Sequence, residues 1–314
     1  MSRQLPVGTI LISSPKTGDP YYKGMEGELV GFYSRIVSAA HPSDKFVIAC
    51  DPPRAKELRS AGVPEANLLV NGLPDIWIRD ICPVITPKGA FNFLYRPSYL
   101  KRSDAKYFED AFNKFLAKRG VVSSGRSLNL DGGNYCHNGV DKAVVCDRVF
   151  KENPGLTTKR LVEILAPITG SDAIAILPTE KGDTLGHADG MVSWLAADVL
   201  AVNQFDEPFH SKVMKELEWN FPDVKLVVMP YEPSDRDWKG IADASGVYTN
   251  ILHTPNAAYV SSYGSPSDAK AKAMVEKYCS RRVIPVKAEK VTRLGGGLRC
   301  LTWQRRASSW STPL

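Results

Sequence analysis

Five short segments of the chain carry side chains able to do chemistry: WIRD (77–80), LDGGN (130–134), GHADG (186–190), YTN (248–250) and GGGLRC (295–300). The candidates among their polar residues are Asp80, Asp131, His187, Asp189, Asn250 and Cys300. A cysteine thiolate is a strong nucleophile, and a nearby cation or imidazolium makes it available at neutral pH. His187 is the only histidine in these segments and is the natural general acid and base. Carboxylates without metal-binding partners suit a planar cation, and a guanidinium pairs its N–H groups with carboxylates on either side. Attack of the Cys300 thiolate on such a central carbon would be assisted by charge already in place.

Each residue also has an ordinary reading. Asp80 follows Arg79 and suits an ion pair, Asp131-Gly132-Gly133-Asn134 is a turn sequence, His187 lies between small residues, and Cys300 near Leu298 and Leu301 suits a core thiol. What those readings leave unexplained is the regular position of the set. Each segment precedes a pair of short apolar runs joined by a polar turn: CPVITPKGAFNFLY, NYCHNGVDKAVVCD, GMVSWLAADVLAVNQ and YTNILHTPNAAYVSS read as hairpins, and RCLTWQ as a lone strand.

The elements between them repeat. Strands are expected at 9–13, 45–50, 173–178, 225–230 and 281–286, apolar and β-branched, and helices at 25–40, 104–119, 157–166, 209–220 and 266–279. Hairpin, helix and single strand recur every fifty to sixty residues. The first strand lacks an upstream partner and the last lacks a downstream one, so pairing the two chain ends would close a ring of five units. In such a ring the five segments converge at one end of the central channel.

Composition fits a globular α/β chain: 314 residues, 43% hydrophobic, net charge +6 with lysines and arginines scattered among acids. No basic stripe with stacking aromatics points to nucleic acid, and no apolar run is long enough for a membrane span. The opening MSRQLPVGTI has no secretory signal, so the cytoplasm is the expected location. Six cysteines without a CxxC pair argue for free thiols and against a structural zinc site.

In combination and order, WIRD, LDGGN, GHADG, YTN and GGGLRC resemble the motifs of the guanidine-modifying superfamily, in its agmatine deiminase and bacterial-type peptidylarginine deiminase branch. The resemblance runs from about residue 75 to 305. It implies a pentein, a five-fold pseudo-symmetric α/β propeller closed by the N- and C-terminal strands, with one catalytic domain over 1–305 and a tail at 306–314. It further implies no metal or organic cofactor, and hydrolysis of a guanidine to a ureido group with release of ammonia. Carried over, Cys300 attacks the guanidinium carbon, His187 shuttles the proton, Asp189 and Asp80 hold the guanidinium, and Asp131 is a further acid. Asn250 positions the substrate and Trp77 walls its aliphatic stem.

The sequence departs from this branch in three ways: Asp131 stands where glutamate is usual, Arg299 stands where histidine commonly precedes the cysteine, and the Trp-Pro-rich opening with its WG segment is missing. Substrate choice stays open among agmatine, arginine and an arginine-containing peptide. Arg96 is the candidate partner for a carboxylate, with Arg102 beside it. An amidinotransferase using the same thiol and histidine, or a non-catalytic guanidine-binding protein, are the alternatives. The oligomeric state is open as well, a homodimer included.

Overall fold

The computed structural model describes residues 5–305; the tail expected at 306–314 lies outside them. The chain starts with β1 (Thr9–Ser13), α1 (Glu26–Ser38), β2 (Lys45–Cys50), α2 (Pro52–Ser60) and β3 (Leu68–Val70). The one-turn α3 (Ile78–Ile81) leads to β4 (Val84–Thr86), β5 (Gly89–Leu94), α4 (Arg102–Ala117) and β6 (Ser124–Asn129). Next come β7 (Cys136–His137), β8 (Ala143–Cys146), α5 (Arg148–Glu152), α6 (Thr158–Thr169) and β9 (Ile174–Leu177). They are followed by β10 (Val192–Ala196), β11 (Val199–Asn203), α7 (Phe209–Asn220), β12 (Lys225–Met229), β13 (Asp237–Trp238) and β14 (Ile241–Ala242). The chain finishes with β15 (Leu252–His253), β16 (Ala257–Ser262), α8 (Ser267–Tyr278), β17 (Arg282–Lys287) and β18 (Thr302–Gln304).

One local topology recurs in these elements. In the sheets β4-β5-β6, β7-β8-β9, β10-β11-β12 and β15-β16-β17, an antiparallel hairpin hands its second strand to a parallel neighbour across a helix. The remaining large sheet, β18-β1-β2-β3, uses both ends of the chain: β18 pairs antiparallel with β1, Ile10 opposite Gln304, and β1 runs parallel to β2. The central strands are buried on both faces, which is why TILIS and VVC read as unbroken apolar runs instead of alternating ones.

Five apolar clusters fill the spaces between sheets, each built around one helix. α1 places Leu29, Phe32 and Ile36 between the β15–β17 sheet and the sheet of the chain ends. α4 bridges that end sheet to the elements around β4 and β5, and α6 bridges the β4–β6 and β7–β9 sheets. α7 joins the β7–β9 and β10–β12 sheets, and α8 joins the β10–β12 and β15–β17 sheets. Phe32 and Leu29 are fully buried, and such burial contributes about 1.5–3 kcal/mol per side chain.

The expected strands and helices are present, with shifts at the ends. α6 runs through Pro167 to Thr169 and stops at Gly170, whose φ of +95° supplies the left-handed cap. Elements beyond those expected appear too. α2 begins on Asp51, whose Oδ1 accepts from Arg54 N at 2.9 Å, followed by Pro52 in the first turn. β6, SGRSLN, buries only Leu128 and so has no apolar pattern to betray it. β13 and β14 form a tight hairpin through Lys239 and Gly240, at φ +53° and +86°. Among the described residues no helix is long and apolar enough to cross a membrane. All six cysteines are free and buried, Cys146 facing Met191 Sδ at 3.3 Å.

Candidate active site

Asp80, Asp131, His187, Asp189, Asn250 and Cys300 each sit on the stretch just before the first strand of their sheet. Asp80 is on α3 ahead of β4, and Asp131 precedes the single 3-10 turn Gly132–Asn134 before β7. His187 and Asp189 flank the start of the 3-10 turn Ala188–Gly190 before β10. Asn250 lies ahead of β15 and Cys300 ahead of β18. All six are buried, and the structure brings them together.

His187 is held between two carboxylates: its Nε2 is 3.0 Å from Asp131 Oδ2 and its Nδ1 is 3.6 Å from Asp80 Oδ1. Asp131 Oδ2 also accepts from the Tyr99 hydroxyl at 2.8 Å, and Asp80 Oδ1 accepts from the Gly133 amide at 3.0 Å. The thiol lies on the other side of the cluster. Asn250 Nδ2 is 3.2 Å from Cys300 Sγ and donates to the Asp189 carbonyl at 3.0 Å, while Asp189 Oδ1 and Oδ2 are 3.8 and 3.7 Å from the sulfur. Asn250 Oδ1 takes the amides of Arg299 and Cys300, so one amide side chain fixes both the sulfur and the backbone that bears it.

The glycines have steric reasons. A Cβ on Gly133 would fall 2.5 Å from Asp80 Oδ1, 2.8 Å from His187 Nδ1 and 3.3 Å from Asp189 Oδ1, which places this residue at the meeting point of three functional groups. A Cβ on Gly296 would strike the Trp77 ring at 2.5 Å, and one on Gly297 would strike Asn250 Oδ1 at 2.7 Å. Gly133→Ala is therefore expected to lower kcat/KM roughly 100-fold, since displacement of about 1 Å costs that much. Steady-state kinetics alongside a circular-dichroism melt checks it, and wild-type kinetics would show that the three groups do not act together.

The electrostatics follow from burial and from the carboxylates that crowd His187 and Cys300. Burial first, then the negative charges of Asp131 and Asp189, push the Asp80 carboxyl up to about 7, against the pull of His187. Burial opposes charge on His187, but Asp80, the hydrogen bond to Asp131 and the Asp189 charge hold it up at about 10, so it is an imidazolium at neutral pH. Burial, followed by Asp189 and Asp80, pushes the Cys300 thiol well above its usual range. A further cation beside the sulfur, such as a substrate guanidinium, would favour the thiolate against Asp189 and Asp80.

A cavity of about 440 Å³ opens on the cluster and is lined by Asp80, His187, Cys300 and Trp77. Tyr95, Tyr99, Tyr107 and Phe108 supply aromatic walls, and Asp19, Asp75 and Asp104 supply carboxylates further out. Lys239, also in this wall, donates to the Tyr21 carbonyl at 2.8 Å. Asp75 is buried and takes the Tyr22 hydroxyl, and burial raises its carboxyl to about 6. A second cavity of about 440 Å³, beyond the β13–β14 hairpin, shares Cys300, His187, Leu185 and Ile241 with the first.

Arg96 is placed elsewhere. Its Nη1 pairs with Glu109 at 2.5 Å and with the Tyr95 carbonyl at 2.8 Å, and it is not among the residues lining either cavity. Arg102 is the exposed first residue of α4. The internal pairing with Glu109, a residue thirteen positions on, is a packing outcome that the local run LYRPSYLKRSD does not contain. The pairing of Tyr99 with Asp131 likewise has no local signal, the two lying 32 positions apart. Arg299 is inward, 4% exposed.

From residue 6 to 305 the sequence matches the family model of the Porphyromonas-type peptidyl-arginine deiminases. It is 24% identical over 307 residues to a Streptomyces avermitilis protein described provisionally as an agmatine deiminase, covering 87% of this chain and 86% of that one. Among solved structures it is similar to C. jejuni agmatine deiminase, at TM-score 0.77 and 19% identity over 98% of this chain and 94% of the other. It is also similar to the agmatine deiminase of Enterococcus faecalis, at TM-score 0.76 and 15% identity over 96% and 95% of the two chains. At these identities the structural likeness establishes the shared fold, a pentein of mixed α/β class.

Proposed function

The chain belongs to the Porphyromonas-type peptidyl-arginine deiminase family of carbon–nitrogen hydrolases, and from that membership we propose that it hydrolyses a guanidino group through a covalent amidino-cysteine. The observation that carries the reading is the convergence of Cys300, His187, Asp80 and Trp77 on one cavity, with Asp189 against the sulfur.

In this reading Asp80 and Asp189 hold the guanidinium, whose positive charge lowers the thiol pKa that burial had raised. The Cys300 thiolate attacks the guanidinium carbon to give a tetrahedral adduct. His187, an imidazolium, passes its proton to the departing nitrogen, and ammonia leaves as the C–N bond breaks. The neutral imidazole then takes a proton from water, whose oxygen adds to the amidino-thioether carbon. Collapse breaks the C–S bond and frees a ureido product. Guanidinium and water have become a ureido product, ammonia and one proton, which leave together as ammonium, with thiolate and imidazolium restored. Asp131 and Tyr99 orient His187 from the far side.

The scaffold is read as one catalytic domain over 1–305, a five-fold pseudo-symmetric propeller closed where β1 meets β18. In support, the five apolar clusters are shared cyclically, each sheet touching the next and the β15–β17 sheet touching the sheet of the chain ends.

For the substrate, the cavity favours a small guanidine with a cationic tail, of which agmatine is the type. Among the described residues no arginine lines the cavity, Arg96 is engaged by Glu109, and the outer lining carries Asp19, Asp75 and Asp104 against Lys16 and Lys239, the latter bound to the Tyr21 carbonyl. Ammonia release should be measured over agmatine, free arginine, methylated arginine and peptides with internal or C-terminal arginine. Agmatine is expected to show the highest kcat/KM, by about tenfold or more over arginine, the equivalent of one favourable charge contact. A peptide ranking first would reassign the outer wall.

A further inference from the structure

Arg299 precedes the nucleophile, yet its side chain turns into the cluster. Nη1 donates to Asp189 Oδ2 at 2.5 Å and Nη2 to the Tyr135 carbonyl at 3.0 Å. The pair is closed off from water, with side-chain exposures of 5% for Arg299 and 1% for Asp189. A buried pair of this kind is rigid, because separating it strands a charge.

Asp189 therefore already carries one guanidinium, the protein's own. Both oxygens lie near Cys300 Sγ, Oδ1 at 3.8 Å and Oδ2 at 3.7 Å, but Oδ2 is taken by Arg299, which leaves Oδ1, on the Gly133 side with Asp80 and His187, as the oxygen for an incoming group. A fully open carboxylate would grip a guanidinium through two parallel hydrogen bonds. The thiol also feels the arrangement. It is faced by Asp80 and Arg79 from α3, by His187 and Asp189 from the turn before β10, by the neutral Asn250, and by Arg299 itself. Asp189 and Asp80 oppose thiolate formation, and the Arg299 charge offsets Asp189.

Resting on the reading of Asp189 as a holder of the substrate guanidinium, we propose that Arg299 is a positioning residue: it clamps Asp189 through Oδ2, presents Oδ1 alone to the substrate, and shields the thiolate from the Asp189 charge. The clamp gives up binding strength for alignment and nucleophilicity. Removing it frees both oxygens of Asp189, so substrate binds more tightly while the sulfur reacts more slowly.

The test has a turnover-independent arm. Alkylation of Cys300 by iodoacetamide is followed by intact mass, with Cys300→Ser marking the signal. Arg299→Met should slow it about tenfold at pH 7.5, the effect of a one-unit rise in thiol pKa. Arg299→Lys, which keeps the charge, should stay within about threefold of wild type. In turnover, Arg299→Met should lower KM about threefold while lowering kcat tenfold or more, whereas loss of mere packing raises KM as kcat falls. Unchanged alkylation, or KM rising with falling kcat, overturns the proposal. Should Arg299→Met not fold, the Asp189→Asn/Arg299→Met double variant removes both charges together. Its alkylation should match wild type within about threefold, and persistent slowing overturns the clamp. If wild type turns over no guanidine at all, the deiminase reading fails by itself, and the alkylation series still decides whether Arg299 shields the thiol.

Discussion

Cys300→Ser is expected to reduce ammonia release from a guanidine substrate by about 10⁴-fold or more, as removal of a nucleophile that acts as one unit with its base does elsewhere. The fold should survive the change. Asn250 Nδ2 donates to the sulfur at 3.2 Å and can donate equally to a hydroxyl, while the Cys300 and Arg299 amides remain on Asn250 Oδ1. What serine lacks is an accessible anion: the site already pushes a thiol upward through burial and two carboxylates, and a hydroxyl starts far higher. Thermal unfolding within a few degrees of wild type, with ammonia release at background, is the expected pair of results. Intact mass after rapid acid quench should show an amidino adduct on wild type and none on the variant. Full ammonia release by Cys300→Ser would sink the mechanism.

His187→Asn is expected to cost about 10³-fold in kcat, within the range for loss of a general acid and base. Asparagine can still meet Asp131 and Asp80 by hydrogen bonding but neither gives up nor takes a proton. The pH profile separates this from damage to the site. His187 is held up at about 10, so in wild type the proton donor is in place at neutral pH and is lost as pH rises through about 10. The thiol limb runs the opposite way, activity rising with pH as Cys300 ionises. Wild type should therefore climb through the mildly alkaline range and fall on its far side, and the residual rate of His187→Asn should climb without that fall. An unchanged profile would remove His187 from the proton-transfer role.

How much of this could be read from the chain is clear from particular residues. The strands TILIS, KFVIAC and KLVVM and the five long helices carry their own periodicity, because a buried parallel strand and a two-faced helix leave different apolar patterns. The repeat of hairpin, helix and strand exposed the pre-hairpin segments, and so led to Asp80, Asp131, His187, Asp189, Asn250 and Cys300 as a set. β6 was hidden, since a strand that buries one residue has no pattern. α2 carried its signal in Asp51-Pro52-Pro53, but its mean hydropathy is too low for a window that weighs apolar spacing.

Residue types and their order in the chain thus determined which groups could react and that each repeat carries at least one, since chemical identity and spacing are properties of the covalent chain. Direction was decided by the tertiary structure. Arg96 follows the Asp80 segment and Arg299 directly precedes Cys300, yet Arg96 is bound by Glu109 outside the cavity and Arg299 is drawn onto Asp189, 110 positions away. Glycine at 133 looked like a turn residue and is the gap in which Asp80, His187 and Asp189 meet. A side chain's partner is set by which buried charge lies within hydrogen-bond reach once the sheets have packed, and that distance exists only in the folded chain.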